Sequence, residues 1–569
     1  EGAREQLEGI WDEASRDRVA QGIQRAAGAE LADEIWARVS GRLDDYADAW
    51  VEGHREACEA TTIRAEQSAA VLDRRMACLH RARTALRVDV ELLAALDEHT
   101  VLRAVELVDR LPMLDRCADV DALLAEVPLP DDPAAQAAIQ SAHVRLAEAA
   151  SLHRLGRYAD ALEAVRLVEA EAEPLGHGPL LAELAAQEGL TLEALGRYEQ
   201  AQITLHRAVG QAVEQGSLGV AVGAIADWAF VLDERLSRSD EALLAAELGL
   251  RLARRVGQPS LEALALGRVA SVLHTQGKWE ESEAAYRETL ALLEATEPVD
   301  VLRVAVVSND LGAQLFERGQ VDEALALHRR ALEIREHELG SSHPYVGSSL
   351  TNLGNVHYAR REHDEAQRYY ERALALYARV YGPDHPLTTL TQGNYAALLM
   401  VRGELDRADP LLREVVRIKE RTYGPDHPET ANAYNNLARL EQERGNLDLA
   451  HEHLQRSLRS LSTSLGPDHP QLRTALQNLG SLAVELGRRD EAIGHFERAL
   501  AVFPDAPPED LADTKMALAK ILWDDPSSRA RARTLAEDAV LAYGQVESAH
   551  QELADAEAWL HTHPRAESE

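Results

Sequence analysis

Gly156-Arg157-Tyr158-Ala159-Asp160-Ala161 decides the fold, because its pattern of Gly, one residue, an aromatic or apolar residue, two residues and a small residue comes back along the whole chain. It returns at Gly196–Ala201, in weaker form at Ser237–Ala242 and Gly277–Ser282, and then at Gly319–Ala324, Arg361–Ala366, Gly403–Ala408, Gly445–Ala450 and Gly487–Ala492. The final position advances by 40, 41 and 40 residues and then by 42 residues five times. A period held over that distance marks stacked supersecondary units, each of which buries its apolar face against its neighbours.

Each unit has the pattern of a helical hairpin. Upstream of the turn runs a segment such as Leu350-Thr-Asn-Leu353-Gly354-Asn-Val356-His-Tyr358, and downstream one such as Ala366-Gln-Arg-Tyr369-Tyr370-Glu-Arg-Ala373-Leu374. Apolar residues three, four and seven apart make both amphipathic. Glycine supplies the turn, and the small residue five positions on lets the two helices approach. Units are separated by Tyr381-Gly-Pro-Asp-His-Pro386, Tyr423-Gly-Pro-Asp-His-Pro428 and Leu465-Gly-Pro-Asp-His-Pro470, with Leu339-Gly-Ser-Ser-His-Pro344 as a variant. There Gly ends one helix, and the second Pro opens the next in the first turn, where its missing N–H costs nothing.

This pattern resembles the tetratricopeptide repeat, in its 42-residue, kinesin-light-chain-like form. The resemblance implies an all-α, right-handed superhelical solenoid of about ten hairpins over residues 131–545. The most regular repeats lie at 301–506, a degenerate one at 507–545, and 546–569 form a C-terminal cap or tail. An α-helical module, residues 1–130, precedes them. The repeats at 217–297 depart from the pattern, since Ser237 replaces the turn glycine and Ser282 the packing alanine.

In that family the first helix of each hairpin faces a concave groove. The positions that carry over as groove-facing hold Asn309, Thr351, Asn355, Asn435, Arg439 and Gln477, and the ladder one residue further on holds Asn352, Asn394, Asn436 and Asn478. An amide side chain both donates and accepts, which suits the backbone of an extended peptide whatever its side chains. The expected partner is a protein or extended peptide. The second ladder, turned about 100° away on the helix, is expected to hold neighbouring hairpins together. His343, His385, His427 and His469 of the linkers sit on separate repeats, so helix capping fits them better than metal binding. No metal or cofactor is expected.

Composition narrows the rest. The chain has 569 residues, a net charge of −36 and 3 cysteines, and its acidity is concentrated outside residues 301–500. Nucleic acid is excluded as the main partner, since it needs clustered cations. No stretch is apolar enough to insert into a bilayer within this chain. No phosphate-binding loop, H-E-x-x-H, G-x-S-x-G, C-x-x-C or kinase signature is present, so the chain reads as non-catalytic.

Residues 1–130 hold all three cysteines. Trp50-Val-Glu-Gly-His-Arg-Glu-Ala-Cys58, Leu72-Asp-Arg-Arg-Met76-Ala-Cys78 and Leu111-Pro-Met-Leu-Asp-Arg-Cys117 make this segment similar to the region joining kinase and repeats in bacterial, especially myxobacterial, serine/threonine protein kinases. That resemblance implies a sensor or docking region of such a kinase, lying outside the cytoplasm if a membrane-spanning helix precedes Glu1 and inside it otherwise. The rivals are a free-standing scaffold that assembles other proteins and the recognition part of another enzyme, such as a protease. A hairpin turning at Thr62–Ser68 would set Cys58 against Cys78, as a disulfide or as two small buried thiols.

Overall fold

A computed structural model describes residues 2–125, 127, 129–297, 299–382, 385–502, 508–545 and 549–564; Pro383 and Asp384 of one linker and part of the 546–569 segment lie outside the described residues. The described elements are all helical, and none is long and apolar enough to cross a membrane. The chain divides into two compact units, residues 1–360 and 361–569.

Unit 1 begins with the module: α1 (Glu13–Ala27), α2 (Ala29–Thr62), α3 (Ala69–Ala94), α4 (Ala104–Asp109) and α5 (Val120–Ala125). Its core gathers Ile23, Leu43, Trp50, Leu79, Leu86 and Leu107. Trp50 is buried because its indole N–H donates to the Leu79 carbonyl at 2.7 Å, which meets the requirement that a buried polar group be paired.

The cysteine expectation is corrected here. Cys78 bonds to Cys117, and Cys58 is a free thiol. Leu79 is the α3 residue that faces α2, so Cys78, one position away, is turned off that face. Arg75, one turn before Cys78, donates from Nε to the Cys117 carbonyl at 3.1 Å, so this side of α3 lies under the short helix Leu114–Cys117.

Hairpins follow: α6 (Pro133–Arg154) with α7 (Tyr158–Ala172), α8 (Gly178–Ala194) with α9 (Tyr198–Glu214), α10 (Leu218–Phe230) with α11 (Ser239–Val256), α12 (Pro259–Thr275) with α13 (Trp279–Glu294), and α14 (Val301–Glu317) with α15 (Val321–Leu339). α16 (Pro344–Ala359) ends unit 1. Unit 2 holds α17 (His363–Val380), then α18 (Pro386–Val401) with α19 (Leu405–Tyr423), α20 (Pro428–Glu443) with α21 (Leu447–Leu465), α22 (Leu472–Glu485) with α23 (Arg489–Ala501), α24 (Pro508–Leu522) with α25 (Arg529–Tyr543), and α26 (His550–Thr562).

The landmark does what its chemistry requires. Gly156 and Gly196 turn with φ of 80° and 73°, a region that a side chain resists; Ser237 and Arg361 adopt it all the same, at 55° and 60°. Ala201, Ala324 and Ala450 are fully buried between their helices. Facing them, a Cβ on Gly189 would stand 2.5 Å from Leu205 Cγ, and one on Gly480 would stand 2.7 Å from the Phe496 ring. Where Ser282 replaces alanine, its hydroxyl lies 2.7 Å from both the Ala270 carbonyl and Gln314 Oε1, so the buried oxygen is satisfied.

The linker histidines cap. Nδ1 of His343, His385, His427 and His469 accepts from the backbone N–H two residues on, at 3.3, 3.3, 3.1 and 3.3 Å. The 41-residue step also has a cause: after α10 the backbone opens into a π-turn, Val231–Arg235, which absorbs one extra residue.

Gly480→Val should destabilise unit 2 by about 1–3 kcal/mol, because Phe496 has no room to retreat; a denaturant midpoint equal to that of the unmutated protein would contradict this packing.

Candidate functional site

The module of unit 1 is tied to the repeats at two places far apart in sequence. The first is on α3 and α6. Asp89 is fully buried and accepts from Ser151 Oγ at 2.5 Å, with Arg154 Nη2 3.6 Å away. Arg154 also donates to the Arg110 carbonyl at 2.9 Å. Burial pushes the Asp89 carboxyl up to about 6, against the pull of Arg154.

The second tie is on α2 and the end of α15. Arg42 donates to the Glu338 carbonyl at 2.7 Å and to its carboxylate at 2.9 Å, and Arg38 donates to the Glu336 carbonyl at 3.2 Å. These arginines satisfy the orphan carbonyls at the negative end of α15. Glu34 accepts from the Ser341 N–H at 3.0 Å, and Leu339 enters the module's own core. Gly340 makes the close approach possible, since a Cβ there would lie 2.5 Å from Glu34 Oε1.

Beside the first tie lies a pocket of about 460 Å³, within the range of ligand-sized sites. α3 forms one wall with Ala77, His80, Arg81 and Thr84; the other walls come from α6, α8 and α10. Most of that surface is aliphatic: Ile139, Leu146, Ala147, Ala186, Leu190 and Ala224. The polar groups gather at two places. His143 stands with Nδ1 3.6 Å from the Glu183 carboxylate, and burial and Arg81 push its imidazole down to about 4, so it is neutral at pH 7. Asp227 lies on the α10 wall, and burial pushes its carboxyl up to about 6 despite Arg268 nearby.

Asp227 owes its place to the π-turn. Counted back from the packing alanine Ala242, the residue in register with Gln187 of α8 is Trp228. The extra residue in Val231–Arg235 turns α10 by one position, so that Asp227 joins Gln187 in the pocket while Trp228 packs into the hydrophobic core. The pocket lies in the acidic first part of the chain, away from the regular repeats in which the peptide groove was expected. A departure of the period from 40 to 41 is the trace it leaves in the sequence.

The expected groove residues have mixed positions. In unit 1, Asn352 Nδ2 donates to Asn309 Oδ1 at 2.9 Å, linking successive first helices, so these two amides answer each other. Thr351 is 5% exposed and its hydroxyl donates to the Gly347 carbonyl at 2.9 Å, which corrects its assignment to a groove. Asn355 is half-buried. In unit 2 the open side of α20 runs through Asn432, Asn436 and Arg439, while Asn435 is half-buried with Oδ1 unpartnered; Asn394, Gln477 and Asn478 are also half-buried. The ladder containing Asn436 therefore faces outward there, and the one containing Asn435 turns toward the neighbouring helices.

Residues 303–379, 347–399, 387–463 and 452–505 match the tetratricopeptide repeat family, and residues 263–298 match another form of the same repeat. Those segments are tetratricopeptide repeats. No curated protein matches the chain. Among solved structures the chain is similar to BtubC (BKLC) from P. vanneervenii, at 19% identity, 40% of this chain, 92% of that one and a TM-score of 0.36. It is also similar to a putative kinesin light chain of Podosopora anserina with nearly identical TPR-like repeats, at 26% identity, 36% and 95% coverage and a TM-score of 0.32. A third is a Rap protein complexed with competence and sporulation factor, at 14% identity, 61% and 100% coverage and a TM-score of 0.39.

Two variants test the site's energetics. Asp89→Ala removes the acceptor of Ser151 and the carboxylate facing Arg154, and should cost about 1–3 kcal/mol; an unchanged unfolding midpoint would remove the first tie. Asp227 should behave oppositely. Its folded carboxyl titrates near 6 and its unfolded one near the ordinary 3.8. Below 3.8 both states are protonated, so the charge costs nothing. As pH rises to 6 the unfolded state ionises first and folding is disfavoured. Asp227→Asn should therefore melt higher than the unmutated protein at pH 8, with the gap closing as pH falls toward 4; a lower melting temperature at pH 8 would contradict the burial.

Proposed function

We propose that this chain is a non-catalytic peptide-binding protein whose ligand occupies the pocket of unit 1. The observation that carries the proposal is the pocket's composition: α3 of the module and the first helices of three repeats share it, so a ligand there contacts both parts at once. A chain segment a few residues long, apolar on most of its surface, fits the volume and the aliphatic walls. Occupancy then bears on how the module sits on the repeats, because the Asp89–Ser151 tie adjoins the same helices α3 and α6. This makes the unit suited to sense a ligand. The resemblance of residues 1–130 to the joining region of bacterial serine/threonine kinases supports a sensor or docking role within such a protein.

A scaffold role draws on a separate observation, the open face of α20 in unit 2 with Asn432, Asn436 and Arg439. Amides and a guanidinium on one exposed line suit a second protein partner, and Asn435 and Gln477 of the same unit remain candidates for the edges of such contacts.

Panning a random octapeptide library against the full chain separates the two. Binders should lose affinity at least tenfold when Ala186→Trp or Ala147→Phe fills the pocket and should tolerate Asn436→Ala with Arg439→Ala. Binders sensitive only to the unit 2 pair would move the function there.

A further inference from the structure

We infer that the pocket selects a ligand joining an apolar body to a positive charge, with Asp227 receiving the charge. The inference deepens the peptide-pocket reading and rests on it.

Asp227 is the feature of the pocket that its surroundings leave incomplete. Among the described residues no ion pair within 4.0 Å and no side-chain hydrogen bond holds its carboxylate. The cation that acts on it most has not closed on it: Arg268 lies with its guanidinium carbon 4.8 Å over the Phe230 ring, and its Nε is buried without a partner. The other charged groups that act on Asp227 are Glu193 from α8 and Arg303 from α14, of opposite sign to each other. At the pocket's other end His143 is neutral at pH 7, leaving Glu183, Arg81 and His80 as that end's titratable groups.

A carboxylate placed against aliphatic walls without a fixed partner is costly to the empty protein. An ammonium or guanidinium on the ligand offsets that cost through a charge-assisted hydrogen bond in a poorly hydrated site. A ligand carboxylate would set two like charges together and be rejected. The aliphatic walls take the uncharged remainder, so charge and apolar body are both needed. The π-turn gives independent support: an insertion that brings an aspartate into an apolar pocket in place of a tryptophan is destabilising on its own, and such turns cluster at functional sites.

A lysine or arginine side chain and a free N-terminal amine share this chemistry. The test uses pocket-dependent octapeptides, those weakened by Ala186→Trp or Ala147→Phe, synthesised with free and with acetylated N-termini. They should carry Lys or Arg beside aliphatic residues, or else lose binding on acetylation. Their affinity should fall at least tenfold on Asp227→Asn, and likewise between pH 7.5 and pH 5 as the carboxyl is protonated. Circular dichroism of Asp227→Asn should show an intact helical fold. Pocket-dependent peptides with no cationic group, or with the same affinity for Asp227→Asn, would overturn the charge selection and leave the pocket standing. A library with no peptide sensitive to either filling variant would overturn both.

Discussion

Ser151 donates its hydroxyl proton to Asp89 in the buried seam between α3 and α6, and the arrangement of unit 1 depends on that contact. Asp89 is held at one oxygen by Ser151 and faced there by Arg154, so the seam constrains how the module meets the first repeat. With α3 held there, its next turns toward the N-terminus, through Thr84, Arg81 and Ala77, have one place to go, along the first helices of the repeats. The arginines of α2 on the end of α15 then anchor the module at a second point. The pocket opens beside the first anchor, lined by α3, α6, α8 and α10.

Much of this was legible in the residues, and much was not, for definable reasons. The hairpins follow from local rules: a glycine turn, a small residue five positions on, a histidine that caps. Each acts within a few residues of itself, and Gly156, Ala201 and His427 behave as their chemistry demands. The cysteine pairing was not local. Cys117 reaches Cys78 because a short helix crosses α3 after a long excursion of chain, and neither spacing nor helical period encodes that crossing.

The site illustrates the same division. Asn309 and Asn352 were visible as members of two adjacent ladders, but whether an amide meets a neighbour or a ligand depends on the rotation of one helix against the next. In α20 that rotation exposes Asn436 rather than Asn435. Asp227 was hidden for a different reason. Counting back from Ala242 puts Trp228, not Asp227, in register with Gln187, and only the backbone shows that a π-turn has moved that register by one.

The central claim is that module and repeats jointly enclose a peptide pocket, and hydrogen–deuterium exchange with a saturating pocket-dependent octapeptide tests it most directly. The account predicts added protection on both sides at once, in residues 77–85 of α3 and in residues 139–150 and 183–190 of α6 and α8. Protection confined to the repeats, or appearing only within residues 301–500, would contradict it.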